Sequence, residues 1–240
     1  MYCPSKDRVN DWYEALYVHC ATQYDVDGLD LSHARFPKCA VPRGLQACVC
    51  DDCARAAADM GYDMEEMTAA LRHAVARWRA ADPGLLAAVG RSGLGTFDLL
   101  QWLGMDPGVG NWLRFRADLL GRKMTNFHRA VHAAAGADFV FGSDTHPASL
   151  APLVGNNHCA WAEFSDFASP LVSHIESFIA DTFTTWTPLL QQANPGLSEA
   201  DVLQLLYRFL GYDGMGLPET LGGYQIERPE QLAHNLPLEQ

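Results

Sequence analysis

The sequence predicts an α/β fold with parallel strands, and three observations support it. Apolar runs too short for helices occur within 25–31, 138–143 and 164–172, the last running Phe164 to Val172. Helix-sized segments separate these runs, and crossovers of that length imply parallel pairing. Each run opens into polar residues at its carboxyl end: Asp30, Ser32 and His33 after the first, Asp144 and His146 after the second, Ser173 and His174 after the third. Three such ends share one rim, where a barrel or a doubly wound sheet places its chemistry.

The stretch Asp25-Val-Asp-Gly-Leu-Asp-Leu-Ser-His-Ala-Arg-Phe-Pro37 organises the rest. Strand alternation puts Gly28 and Asp30 on one face and Leu29 and Leu31 on the other. If the leucines meet covering helices, Asp30 faces inward and Ser32, His33 and Arg35 crowd the mouth.

Taken in order, Asp7 to Thr22 reads as an amphipathic helix with Ser5 available as its N-cap. A loop rich in Pro, Gly and Cys follows Pro37 and runs to about Asp52. Ala54 to Ala81 reads as helix broken near Gly61 and Tyr62, with Met64, Met67, Leu71, Val75 and Trp78 as a core stripe. Asp82 to Gly95, punctuated by Pro83 and four glycines, reads as a connection, and Phe97 to Leu103 as a short helix. Pro107 to Ala135 is a long helix that buries Trp112, Phe115, Leu119, Leu120, Phe127 and Val131 and stops at Gly136. A helix-sized segment spans Ser149 to Glu163, and Phe178 to Leu190 has no clear pattern. Leu197 to Leu210 is a helix capped by Ser198, and the remainder is loop and tail from about residue 222. No linker divides residues 1–221 into separate domains.

Composition narrows the function. With 240 residues, 48% hydrophobic, the chain can bury one ordinary core. Its 17 basic and 29 acidic residues give a net charge of -12, a poor match for nucleic acid, which is held by clustered Lys and Arg. No apolar stretch of about 18 residues is present, so no membrane span is expected, and Met1 to Asn10 lacks the apolar core of a signal peptide. The seven cysteines include Cys39, Cys48, Cys50 and Cys53 within a short span. That pattern fits a reduced, cytoplasmic protein with one metal-binding cluster better than a disulfide scaffold.

Cys3-Pro-Ser5 before a helix with Arg8, then Tyr24-Asp-Val-Asp-Gly-Leu-Asp-Leu31 and Arg35-Phe-Pro37, resembles the middle of glycoside-hydrolase-like TIM barrels, a group of carbohydrate-active type. Leu153-Val-Gly-Asn-Asn157 and the strand reaching Pro170 are similar to later units of the same barrels. The resemblance covers roughly Cys3 to His174 and implies a (β/α)8 fold. A barrel needs eight β/α units, and only about three to four are legible here. The expected fold is therefore an incomplete TIM barrel, missing its N-terminal strands, and its open sheet edges favour self-association. Many barrels of this group carry Asp at the position of Ser32.

Cys48-x-Cys50-x-x-Cys53 resembles the zinc-holding loop of zinc-containing β-galactosidases. Thiolates at this spacing can converge on one tetrahedral ion, and a fourth sulfur makes the site structural. Cys39 is the nearest candidate for that fourth ligand, and Cys3 is the alternative.

The resemblance implies carbohydrate as substrate or ligand. Glycoside hydrolysis needs two carboxyl groups, about 5 Å apart for retention and about 6.5 to 9.5 Å for inversion. Asp30, as base or nucleophile, and Asp144, as acid, are the expected pair because each ends an apolar run at the rim. His33, Arg35, His146 and His174 would bind sugar hydroxyls, with Glu163 and Glu176 in reserve. Asp144 could instead serve only as a turn or cap residue. Two other readings remain open: a metal-dependent amide or ester hydrolase using Asp30, His33, Asp144 and His146, and a barrel-derived module that binds sugar or protein without turnover.

Overall fold

A computed structural model describes residues 3–37, 42–91, 106–167, 169–171 and 180–224. The fold is mixed α/β and helix-rich, with a small parallel sheet of three strands in the order β1-β2-β3. The strands are β1 Gly28–Leu31, β2 Val140–Thr145 and β3 Ser169–Pro170. The helices are α1 Asp7–Gln23, α2 Pro42–Leu45, α3 Asp51–Asp59, α4 Met64–Ala80, α5 Pro83–Arg91, α6 Pro107–Ala135, α7 His158–Trp161, α8 Asp181–Ala193 and α9 Glu199–Leu210. The described residues group into two compact units. The expected helix at Phe97 to Leu103 lies outside the described residues, as do positions 38–41 of the loop after Pro37, including Cys39.

The first unit holds the sheet, together with α1, α3 and most of α6. β1 runs parallel to β2 with Leu29 beside Phe141 and Asp30 beside Gly142, and β2 runs parallel to β3 with Asp144 beside Ser169. Pairing in this register puts Leu29, Leu31, Phe141 and Ser143 on one face. That face meets α1 and α6: Tyr17 packs edge-on against Phe127 and Phe141, at 5.3 and 6.2 Å between ring centroids. The expected buried stripe of α6 is borne out, with Trp112, Phe115, Leu119, Leu120, Phe127 and Val131 all buried. Gly136, at φ +101, ends the helix because the left-handed conformation suits a residue without Cβ.

The other face carries Gly28, Asp30, Val140, Gly142 and Asp144. Val140 is 41% exposed there. At Gly142 a Cβ would stand 2.5 Å from the Phe167 ring, so glycine allows the segment after α7 to lie flat on β2.

The second unit contains α5, α8, α9 and most of α4. Gly90 of α5 packs on Leu205 of α9, and the Arg208 guanidinium donates to the Gly90 carbonyl at 2.7 Å. Asn194, just past α8, donates to the carbonyls of Trp78 and Ala81 and so closes the C-terminal end of α4. Ser198 caps α9 as expected, accepting the Asp201 N–H at 3.1 Å.

Several local expectations change. Asp82 to Gly95 is not simply a connection, because Pro83 to Arg91 is helical: Asp82 accepts the Leu85 N–H at 2.7 Å as N-cap, and Pro83 opens the first turn, where its missing N–H costs nothing. The segment Ser149 to Glu163 forms a 3₁₀ turn at Ala151–Val154 and the one-turn α7 instead of one continuous helix. Ser5 does not cap α1; Lys6 holds that position, and the Ser5 hydroxyl donates to Cys53 Sγ. The unassigned region after Phe178 contains α8, which tolerates Pro188 in its interior.

Candidate functional site: a strand rim and a four-cysteine cluster

The carboxyl ends of β1 and β2 bring Asp30, Ser32, His33 and Asp144 together. Asp144 is buried, and both its oxygens accept hydrogen bonds from the turn that leaves β1: Oδ2 from the Ser32 hydroxyl at 3.1 Å and Oδ1 from the His33 N–H at 2.9 Å. His33 sits at φ +66, a left-handed conformation that a residue with a Cβ adopts only when its surroundings hold it there. Ser32 Oγ also lies 2.5 Å from His33 Nδ1. Asp30 is exposed beside this group, and its carboxyl is pushed upward by partial burial and by the Asp144 carboxylate, against an opposing Asp144 N–H.

A second layer supports the rim. Asn156 accepts the His146 N–H at 2.9 Å and donates to the Ala34 carbonyl at 3.2 Å, linking the exits of β2 and β1. The Phe36 N–H donates to the Val154 carbonyl at 2.9 Å, and Gly155, at φ +77, lies so close to the Phe36 ring that a Cβ would come within 2.8 Å. Two of the sequence segments that carried the barrel resemblance, Arg35 to Pro37 and Leu153 to Asn157, are thus packed on each other. Beneath them Arg116 is fully buried, donating to the carbonyls of Leu153 and Gly44 and stacking 4.3 Å from the Phe36 ring centroid.

The remaining predicted site residues are placed differently. His146 is fully buried behind the rim, and Arg35 is buried in the wall of a cavity. Glu163 is exposed in the turn after α7. His174 and Glu176 lie outside the described residues. The cavity, of about 540 Å³, is bounded by Tyr13 and Tyr17 of α1, Lys123 and Phe127 of α6, and the β1 exit turn. It lies on the Leu31 side of the sheet and touches Ser32 and His33, but not the carboxyls of Asp30 or Asp144.

Cys3, Cys48, Cys50 and Cys53 form the second constellation, with their sulfurs all within 4.8 Å of one another. Cys3 Sγ is 3.7 Å from Cys50 Sγ and 3.3 Å from Cys53 Sγ. A tetrahedral ion with bonds of about 2.3 Å to sulfur separates its ligands by about 3.8 Å, so these four thiols could close on one metal ion with little movement. The structure thus brings Cys3 to the cluster, the alternative to Cys39 in the sequence reading. Cys3 arrives because the turn before α1 lies against the start of α3, where the Lys6 ammonium pairs with Asp52.

The thiols are unequal. Burial, with added repulsion from its neighbours, pushes Cys53 far up; burial also raises Cys3. Burial opposes ionisation of Cys50 as well, but the Cys53 N–H and the surrounding thiols outweigh it and bring Cys50 down to about 7. Cys50 is the N-cap of α3, where backbone N–H groups favour a thiolate.

Sequence reasoning missed a third grouping, His128, His132 and Asp166, whose donor atoms also lie within 4.8 Å of one another. The spacing of the two histidines by four on a helix was a legible signal; the aspartate, 34 positions beyond His132, was not. Among the described residues, Asp30, His33, Asp144 and His146 do not converge as such a group.

No helix among the described residues is long and apolar enough to cross a membrane. No family model matches this chain, and no curated protein or solved structure is detectably similar to it.

Proposed function

We propose that this chain is part of a glycoside-hydrolase-like (β/α)8 barrel that binds or cleaves carbohydrate at the carboxyl ends of β1 and β2, with zinc held by Cys3, Cys48, Cys50 and Cys53. The observation that carries the reading is that Asp30 and Asp144 project from neighbouring parallel strands to the face opposite α1 and α6. Consecutive strands that are also spatial neighbours, covered by helices on one face, suit a barrel wall better than a doubly wound sheet, whose two faces are both covered.

The proton donor in this reading is Asp30, because its carboxyl is the one pushed upward. Asp144, both oxygens engaged as acceptors, orients Ser32 and His33 and faces the sugar as a base or stabilising carboxylate. This reverses the roles expected from sequence. The zinc is structural: four thiolates leave no open position, so the ion pins the loop before α3 to the start of α1.

Binding without turnover is the second reading, and one observation favours it. Asp144 is fully committed to the β1 exit turn, and Ser32 stands where related barrels carry a carboxylate.

The test is thermal unfolding of the zinc-loaded chain with a panel of mono- and oligosaccharides, paired with hydrolysis of chromogenic glycosides by wild type and Asp30→Asn. A ligand that binds only the folded state raises Tm. Hydrolysis lost in Asp30→Asn with the sugar-induced shift retained supports catalysis, and a shift with no hydrolysis in wild type supports binding alone. A cooperative transition that no sugar moves overturns both.

A further inference from the structure

His128 and His132 stand one turn apart on α6 with their ring centroids 3.9 Å apart. Both Nε2 atoms lie close to one carboxylate: His128 Nε2 is 3.5 Å from Asp166 Oδ1, and His132 Nε2 is 3.3 Å from Asp166 Oδ2. These separations exceed the roughly 2.7 to 2.9 Å of a charge-assisted hydrogen bond. His132 Nε2 is shielded from solvent and makes no hydrogen bond.

One donor atom from each of the three residues lies within 4.8 Å of the other two, close enough for a single ion to draw them together. Ligands bound at about 2.0 to 2.1 Å around a tetrahedral ion stand about 3.3 to 3.4 Å apart. We propose that His128, His132 and Asp166 form a second metal site, separate from the cysteine cluster, for one divalent cation of the zinc class.

The donor set selects the cation. Two imidazoles with one carboxylate suit zinc, cobalt or nickel, whereas calcium and magnesium prefer sites built from oxygen. The carboxylate is already oriented: Asp166 Oδ2 accepts the Phe141 N–H at 2.8 Å, and the Asp166 N–H donates to the Phe141 carbonyl at 2.9 Å. Backbone support of this kind is what positions a metal-binding carboxylate. The side chains are 19%, 20% and 36% exposed, so an ion can enter from solvent, which completes the coordination at the open position.

Its location gives it a role. Phe141 lies near the amino end of β2, the end opposite the Asp144 rim, so the ion would not touch a substrate bound there. It would tie α6 to the segment leading into β3, a strand held by only two residues of ladder. The site is a clamp on the sheet edge, independent of any carbohydrate function.

Cobalt titration of the zinc-treated full chain tests this. With one equivalent of zinc loaded at the cysteines, the first equivalent of Co2+ is expected to bind with weak visible d–d absorption and without the near-ultraviolet thiolate charge-transfer bands that cobalt at the cysteines would give. His132→Gln and Asp166→Asn should each weaken that binding tenfold or more while retaining the metal at the cysteines and the helical far-ultraviolet signal. X-ray absorption at the cobalt edge of the wild-type complex supplies a readout that needs no variant: nitrogen and oxygen neighbours with imidazole scattering support the site. Cobalt surrounded by sulfur alone, or binding that both variants leave unchanged, overturns it.

Discussion

The carboxylate of Asp144 accepts the backbone N–H of His33 at 2.9 Å, joining the ends of two strands across 111 positions of sequence. This contact holds His33 in its left-handed conformation and sets the outline of the rim. Asp144→Ala removes both acceptors and leaves the His33 N–H without its partner, which should cost about 1 to 3 kcal/mol in urea unfolding. Asp144→Asn keeps one acceptor and should cost less.

His33→Gly separates conformation from chemistry at the same turn. Glycine accepts φ +66 without strain, so the variant should be as stable as wild type or slightly more so. His33→Val should lose about 1 to 2 kcal/mol, since a branched Cβ is disfavoured there. Equal stability of the two variants would show that the turn does not hold this backbone conformation in solution.

Asp30 makes a pH prediction. Its carboxyl is pushed above its ordinary value in the folded state, so the folded chain binds that proton more tightly than the unfolded chain does. Its contribution therefore opposes folding above the folded-state pKa and fades as pH falls through that value toward the unfolded one near 4. Asp30→Asn should raise Tm modestly at pH 7, and the difference should vanish near pH 3. A stabilisation that persists unchanged at pH 3 would assign the effect to something other than this proton.

Metal removal should expose the inequality of the thiols. Chelation should lower Tm by about 10 °C or more, since a structural zinc contributes directly to folding. In the stripped chain at pH 7.5, iodoacetamide should modify Cys50 fastest within the cluster and Cys53 slowest, as read by peptide mass spectrometry. Cys3→Ser should lose the metal, while Cys39→Ser should retain it.

Arg116 tests the support beneath the rim. Arg116→Ala removes the side-chain donor to the Leu153 carbonyl, leaves the Gly44 carbonyl with only the long Ala47 N–H contact at 3.4 Å, and opens a cavity under Phe36, so a loss of about 3 kcal/mol or more is expected. Arg116→Met keeps most of the volume and should recover part of it. If the two variants lose equally, the hydrogen bonds outweigh the packing.

The sequence alone determined what depends on periodicity and local chemistry. The buried face of α6 from Trp112 to Val131, the Ser198 cap and the alternation that sets Asp30 opposite Leu29 and Leu31 were all legible, because side-chain spacing records which face meets the core. Where two local signals competed, the sequence misled. Glycines around Asp82 read as a connection, yet Asp82 and Pro83 start a helix whose Gly90 packs on Leu205. Only the tertiary structure decided which distant residues meet. It brought Cys3 to Cys48, Cys50 and Cys53, committed Asp144 to Ser32 and His33, buried His146, and placed Asp166 before two histidines of α6. Such meetings depend on how strands and helices pack across tens to more than a hundred residues, and no local pattern encodes that distance.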